Sequence, residues 1–168
     1  MEYRGARKPR LDHVRRGRMR VMGVDPGANA AGFCVVEGGK VLETGEVKPK
    51  GSLGQKLLAI HSGIAGVIEE FMPDLLIMEA VIYHKNPKTA LVMGAARGVV
   101  LLAAAEKGIP VKEISPTTVK KSVSGAGRAG KESVGYMVRR LYDITGEISE
   151  HIADALAVAW CGETMIRM

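Results

Sequence analysis

The chain has 168 residues, the length of a single domain. Hydrophobic residues make up 46% and charged residues 25%, which excludes a wholly disordered chain. The only two cysteines, Cys34 and Cys161, are too few for a disulfide scaffold and favour a reducing, cytoplasmic setting. Of the net charge of +6, +5 lies in residues 1–18. We therefore expect a flexible basic arm over 1–18, of uncertain role and with organelle targeting left open, before one domain over 19–168.

The rest of the chain is nearly neutral, but its charges are separated along the sequence. Residues 82–140 carry eleven Lys or Arg against three acidic residues, so the other residues after 18 are net acidic. A basic half beside an acidic half predicts a polyanion held on one surface with carboxylates close by. The alternative is that these charges are scattered over a solvated surface.

Hydrophobic periodicity and turn signals predict five strands and five helices. Gly38-Gly39 is a two-residue hairpin connection between the second and third strands. The predicted strands are 20–24, 33–37, 40–47, 74–78 and 109–114, and the predicted helices are 52–71, 87–107, 116–123, 131–142 and 150–164. This order indicates an α/β fold, a mixed five-stranded sheet with helices on both faces.

The helix over 87–107 is unusually apolar. Between Ala90 and Ala105 its only charge is Arg97, and it contains Gly94-x-x-x-Gly98. A central Arg costs about 2.5–3.5 kcal/mol in a membrane, so we expect no membrane association and a helix buried on most faces. Because one small domain has too little surface to cover such a helix, we expect a homodimer with this helix at or near the interface.

Four residues are candidates for chemistry. Asp25 and Glu79 end the first and fourth predicted strands, and they become neighbours if those strands are parallel. His151 and Asp154 are three residues apart and share a helix face. Such ligands suit Mg²⁺ or Mn²⁺, and two ions about 3.5–4 Å apart can hydrolyse a phosphodiester. As alternatives, Asp25 caps a turn and His151 is a core histidine.

Five segments together resemble the RuvC family of Holliday junction resolvases, in order and spacing, from about residue 19 to residue 161. They are Gly23-Val-Asp-Pro-Gly27, Met78-Glu-Ala-Val81, the segment 86–98, the segment 119–127, and His151-Ile-Ala-Asp-Ala-Leu-Ala-Val158. The resemblance implies a ribonuclease H-like fold and a homodimer. It also implies Mg²⁺-dependent paired nicking of four-way DNA junctions, which leaves 5′-phosphate and 3′-hydroxyl ends. A branch-migration motor is a possible partner.

The resemblance also assigns roles to individual residues. It makes Asp25, Glu79 and Asp154 metal ligands, with two Mg²⁺ (or Mn²⁺) ions per site expected. His151 stands where many members carry an aspartate and some a histidine, so it is either a ligand or a general base. The expected DNA-contacting residues are Lys120 and Lys131, which match family positions, and their basic neighbours Lys85, Lys121 and Arg128.

One position departs from the family pattern. Where many members carry an aromatic residue that stacks on a junction base, this chain has Ile82 followed by Tyr83. Either Tyr83 stacks, or Ile82 acts as an apolar wedge. Two other functions compete with a resolvase: a nuclease-inactive junction-binding protein of the same fold, and an actin-like phosphotransferase suggested only by Asp25-Pro-Gly27.

Overall fold

The computed structural model describes residues 19–80, 86–125 and 130–167, with only the backbone of Lys131 and Arg167. The strands are β1 (Arg20–Asp25), β2 (Ala31–Glu37), β3 (Lys40–Val47), β4 (Leu75–Glu79) and β5 (Val111–Ile114). The helices are α1 (Leu53–Phe71), α2 (Pro87–Glu106), α3 (Pro116–Ser124), α4 (Lys131–Leu141) and α5 (Glu150–Arg167). The predicted basic arm over 1–18 and the candidates Ile82, Tyr83, Lys85 and Arg128 lie outside the described residues.

The five strands form one mixed sheet in the order β3-β2-β1-β4-β5. β1 is antiparallel to β2 and parallel to β4, and β4 is parallel to β5. Val24 is paired with Met78, so the next residues, Asp25 and Glu79, end two adjacent parallel strands. The predicted architecture and the predicted parallel pairing are both confirmed.

Local signals in the sequence explain most element boundaries. Ser52 and Gln55 form a capping box at the start of α1, Asn86 accepts backbone N–H groups at the start of α2, and Ser115 does the same for α3. β5 begins at Val111, two residues later than predicted. The reason is that the N–H of Ile109 bonds to Ala104 at the end of α2, and Pro110 has no N–H.

Each face of the sheet packs against helices. On one face Val21, Cys34 and Ile77 pack with residues of α3, α4 and α5. On the other face Met22, Val24 and Leu76 pack with α1 and α2. Alternate residues of β1 therefore serve two separate hydrophobic cores, as the pleat of a strand requires.

The helix α2 is less buried than predicted. Its buried residues lie along one stripe: Ala96, Arg97, Val100, Ala103 and Ala104. Leu91 and Leu102 are 75% and 51% exposed. Burial on most faces is therefore wrong for a single chain, because only one stripe of α2 meets the sheet and α1. Among the described residues, α2 alone is long and apolar enough to span a membrane. One such helix is weak evidence for a membrane span, because core helices can have the same length and composition.

Candidate active site

The carboxyl ends of β1 and β4 form the floor of a cavity of about 520 Å³. Asp25 and Glu79 both line it and both are partly buried. The turn that follows β1, residues 26–30, forms another wall. This is the place where open α/β sheets position their sites, because the side chains that end adjacent parallel strands face the same edge.

The helix α5 brings His151 and Asp154 to the same cavity. It lies so close to the sheet that a Cβ on Gly32 would collide with the His151 carbonyl, and one on Gly23 would collide with the Ala155 carbonyl. Glycine is therefore required at both strand positions for α5 to reach this depth.

The hydroxyl of Ser149 fixes the start of α5, because it both accepts and donates a hydrogen bond. Ser149 Oγ accepts the N–H of Ile152 at 3.3 Å, and Ser149 donates to the carboxylate of Glu46 in β3. Hydrogen bonds from Lys48 and Ser149 lower the pKa of Glu46, so this carboxyl stays ionised. The two bonds tie the helix turn that carries His151 to the sheet.

His151 and Asp25 are in direct contact. The imidazole Nδ1 lies 2.6 Å from Oδ2 of Asp25, and the His151 side chain is 41% exposed. Within the described part of the chain, neither residue has the surroundings that its alternative interpretation requires. A satisfied core histidine would be buried, and a carboxylate that merely capped the β1 turn would bond to backbone N–H groups.

The predicted DNA-contacting residues are placed unequally. Lys120 of α3 lines the same cavity as the carboxylates, whereas Lys121 is exposed on the same helix and does not line it. The side chain of Lys131 is not described, although its backbone starts α4. Lys120 is thus the one predicted DNA contact with a described side chain that reaches the cavity.

The donor set of this cavity suits a hard divalent cation. Four carboxylates, those of Asp25, Glu79, Glu150 and Asp154, line the cavity with the imidazole of His151, and these ligand types favour Mg²⁺ or Mn²⁺ over softer metals. In the described part of the chain, however, no three His, Cys, Asp or Glu side chains already converge closely enough to hold one ion. The donors fit such an ion by type and by their location in one cavity.

Two charged residues at or near this site were not predicted from the sequence, Glu150, which lines the cavity, and Arg97. Arg97 of α2 is buried, and its Nη1 donates to the backbone carbonyl of Glu79 at 2.8 Å. The available signal was a single arginine in an apolar helix, a charge that needs a partner when buried.

The chain is similar to known proteins over most of its length. The family model described as crossover junction endodeoxyribonuclease RuvC matches residues 21–162. This chain belongs to the RuvC family. The RuvC proteins of Paramagnetospirillum magneticum and Tolumonas auensis are each 41% identical to it, over 149 and 157 residues. These alignments cover 85% and 88% of this chain, and 90% and 91% of the relatives.

Solved structures agree with this assignment. Thermus thermophilus RuvC in complex with Holliday junction substrate superposes with a TM-score of 0.83 at 32% identity, covering 89% of this chain and 96% of that one. The yeast mitochondrial Holliday junction resolvase, with a TM-score of 0.58 at 16% identity, supports the fold alone. The chain has the ribonuclease H-like fold of these resolvases and is an endonuclease that resolves Holliday junctions.

Proposed function

We propose that Asp25, Glu79, Asp154 and His151 are the catalytic residues of this resolvase and that they bind two Mg²⁺ or Mn²⁺ ions. The observation that carries this proposal is that side chains from β1, β4 and α5, far apart in sequence, line one cavity. Membership of the RuvC family implies divalent metal use in general. The ion, the number of ions and the residues that hold them are the proposal.

The bound cations, the carboxylates and the imidazole would each have a different role in the reaction. Bound cations would activate a water molecule and stabilise the 3′ oxygen that leaves, giving 5′-phosphate and 3′-hydroxyl ends. Asp25, Glu79 and Asp154 supply the negative charge that holds the cations. His151 is oriented through Nδ1 by Asp25, so Nε2 is the nitrogen that would bind a cation or accept a proton from water.

Lys120 supplies the opposite charge in the same cavity. A phosphate that approaches the carboxylates meets this ammonium group, which offsets the repulsion between the DNA and the acidic residues. Lys121, exposed on the same helix, extends the positive surface outward, where contacts with phosphates are independent of sequence. Lys85, Arg128 and Lys131 remain proposed DNA contacts on the basis of sequence, and so does either Tyr83 as a stacking residue or Ile82 as an apolar wedge.

We also propose that the active form is a homodimer joined through α2. The exposed side of this helix carries the large apolar side chains Leu91, Leu101 and Leu102. A Cβ on Gly94 or Gly98 would meet no atom within 4 Å, so this side is open to the close approach of another helix. A two-fold dimer presents two cavities, one for each of two symmetry-related strands of a junction. A branch-migration motor remains a possible partner.

The decisive experiment compares Asp25→Asn with the wild-type chain on a synthetic four-way junction. We expect the variant to bind the junction with unchanged affinity and to lose cleavage in both Mg²⁺ and Mn²⁺, because the substitution removes charge but little volume. Glu43→Gln is the matched control, since this carboxylate is exposed on β3 outside the cavity. Cleavage by Asp25→Asn near the wild-type rate would refute the site. Tight binding without cleavage by the wild-type chain would support the nuclease-inactive alternative.

A further inference from the structure

Arg97 is a buried cation for which the proposed chemistry has no use. Arg97 is 9% exposed and lies in the middle of an otherwise apolar helix. Placing a guanidinium there is costly unless its partners compensate for the lost water. An apolar side chain of similar volume would often give an equal or greater free energy of unfolding. The question is what the arginine does that an apolar residue would not.

The two ends of the guanidinium contact the ends of two adjacent strands. Nη1 donates to the carbonyl of Glu79, the last residue of β4, at 2.8 Å. Nη2 forms an ion pair with the carboxylate of Glu113 in β5. Nη2 has no hydrogen bond of normal geometry to any residue that the structure describes. The contact with the Glu79 backbone is therefore the better formed of the two.

The Glu79 carbonyl is a sensitive place for such a contact. The adjacent strand positions are held by the ladder, since Glu79 is paired with Ile114 and the N–H of Ala80 bonds to the Ile114 carbonyl. Residue 79 is also where the chain leaves the sheet. A change in the direction of this peptide group rotates the Cα–Cβ bond of Glu79, and hence moves its carboxylate relative to Asp25.

We propose that Arg97 is a positioning residue, which fixes the backbone of Glu79 so that its carboxylate points into the metal-binding cavity. This inference rests on the proposed role of Glu79 as a metal ligand. Arg97 is not among the residues that line the cavity and does not itself contact the substrate. Its effect on the reaction passes through Glu79, as outer hydrogen bonds orient carboxylate ligands in other metal sites.

The test measures cation binding by the full-length protein without DNA. Mn²⁺ is titrated and the free ion is followed by its electron paramagnetic resonance signal. For Arg97→Met we expect the Mn²⁺ dissociation constant to rise by about tenfold or more, the range found when outer-shell partners of metal ligands are removed. The Mn²⁺ dissociation constant of Arg97→Lys should lie between those of the wild type and Arg97→Met, because the lysine ammonium group can still donate to the Glu79 carbonyl. Junction affinity in the absence of divalent ions should be unchanged in both variants.

Val100→Ala is the packing control, since Val100 is fully buried on the same helix. It should lower Tm without altering the Mn²⁺ dissociation constant. If Arg97→Met does not fold, Arg97→Lys carries the same comparison against Val100→Ala. Wild-type Mn²⁺ affinity in the folded Arg97 variants would overturn the inference, and so would an equal loss of affinity in Val100→Ala.

Glu79→Gln separates failure of this inference from failure of the proposed site. If Glu79→Gln weakens Mn²⁺ binding and the Arg97 variants do not, Glu79 is a ligand and Arg97 does not position it. If Glu79→Gln binds Mn²⁺ as the wild type does, the metal site itself is wrongly assigned and the role of Arg97 is overturned with it.

Discussion

The imidazole Nδ1 of His151 lies 2.6 Å from the Oδ2 of Asp25, so α5 and β1 meet through two side chains that line the same cavity. This contact fixes one ring nitrogen and one carboxylate oxygen. It also places a nitrogen donor among carboxylates, and in the proposed metal site such a donor would favour Mn²⁺ over Mg²⁺.

The first prediction concerns that preference. We expect His151→Asp to retain junction cleavage and to raise the ratio of the rate in Mg²⁺ to the rate in Mn²⁺, because an oxygen donor replaces a nitrogen donor. His151→Ala removes the donor and should cleave more slowly than His151→Asp in both metals. Single-turnover rates at matched ion concentrations measure both effects. An unchanged metal ratio in His151→Asp, with full activity in His151→Ala, would show that His151 is neither a ligand nor a base.

The second prediction is that ionisation of Glu46 makes the free energy of unfolding depend on pH in the acidic range. Hydrogen bonds from Lys48 and Ser149 lower the pKa of this carboxyl in the folded chain, whereas in the unfolded chain it titrates near the ordinary value of about 4.3. Its contribution to stability is therefore present above the unfolded pKa and is lost as pH falls through the lower folded pKa.

We expect Glu46→Gln to lower the free energy of unfolding by a constant amount between about pH 6 and 8, well above the unfolded pKa. The difference from the wild type should shrink as the pH falls below about 4. Urea denaturation across this pH range measures the effect, and Glu43→Gln, an exposed carboxylate on the same strand, is the control. A difference that stays constant down to the lowest pH would contradict the lowered pKa.

The site shows what a sequence can reveal about convergence. Asp25 and Glu79 were predictable because strand ends are visible in the apolar runs, and parallel neighbours bring those ends together. His151 and Asp154 were predictable from helix spacing. The contacts of Arg97 with Glu79 and of Ser149 with Glu46 were not, since each joins two elements whose relative placement is set by packing.

The exposure of α2 has a related cause. Apolar composition predicts that a helix needs an apolar surface to pack against, and the size of the domain indicates that one chain cannot supply all of it. The structure gives α2 one covered stripe and leaves Leu91 and Leu102 exposed. The predictions for the arm over 1–18 and for Ile82, Tyr83, Lys85 and Arg128 fall outside the described residues and stay predictions.

The third prediction uses the two cysteines, which are free and buried. Burial raises the pKa of Cys34 to about 12 and also raises that of Cys161. In the unfolded chain thiols ionise near pH 8.5 while folded Cys34 keeps its proton. Stability due to Cys34 is thus complete below about pH 8.5 and is lost progressively as the pH rises toward 12.

We expect the free energy of unfolding to fall between about pH 8.5 and 10, and to fall less steeply in Cys34→Ala, because the variant lacks one of the two ionising thiols. Neither thiol of the wild type should react with a disulfide reagent at pH 8 until the protein is unfolded. Denaturation curves and thiol titration measure these outcomes. Rapid labelling of two thiols in the native protein would contradict the burial of Cys34 and Cys161.

The fourth prediction tests α2 as the dimer interface. Leu102→Glu places a charge on its exposed apolar side, where a second copy would have to bury it without a partner. We expect the wild type to be a dimer and the variant a monomer by light scattering at micromolar concentration. Leu58→Glu is the matched control, because Leu58 is 66% exposed on α1 and its substitution should leave the dimer intact.

The Leu102→Glu monomer should still bind Mn²⁺, since its cavity is formed within one chain. It should, however, no longer cut both strands of a plasmid-borne junction within one binding event. A wild-type monomer, or a Leu102→Glu dimer that cuts both strands, would exclude α2 as the joining surface.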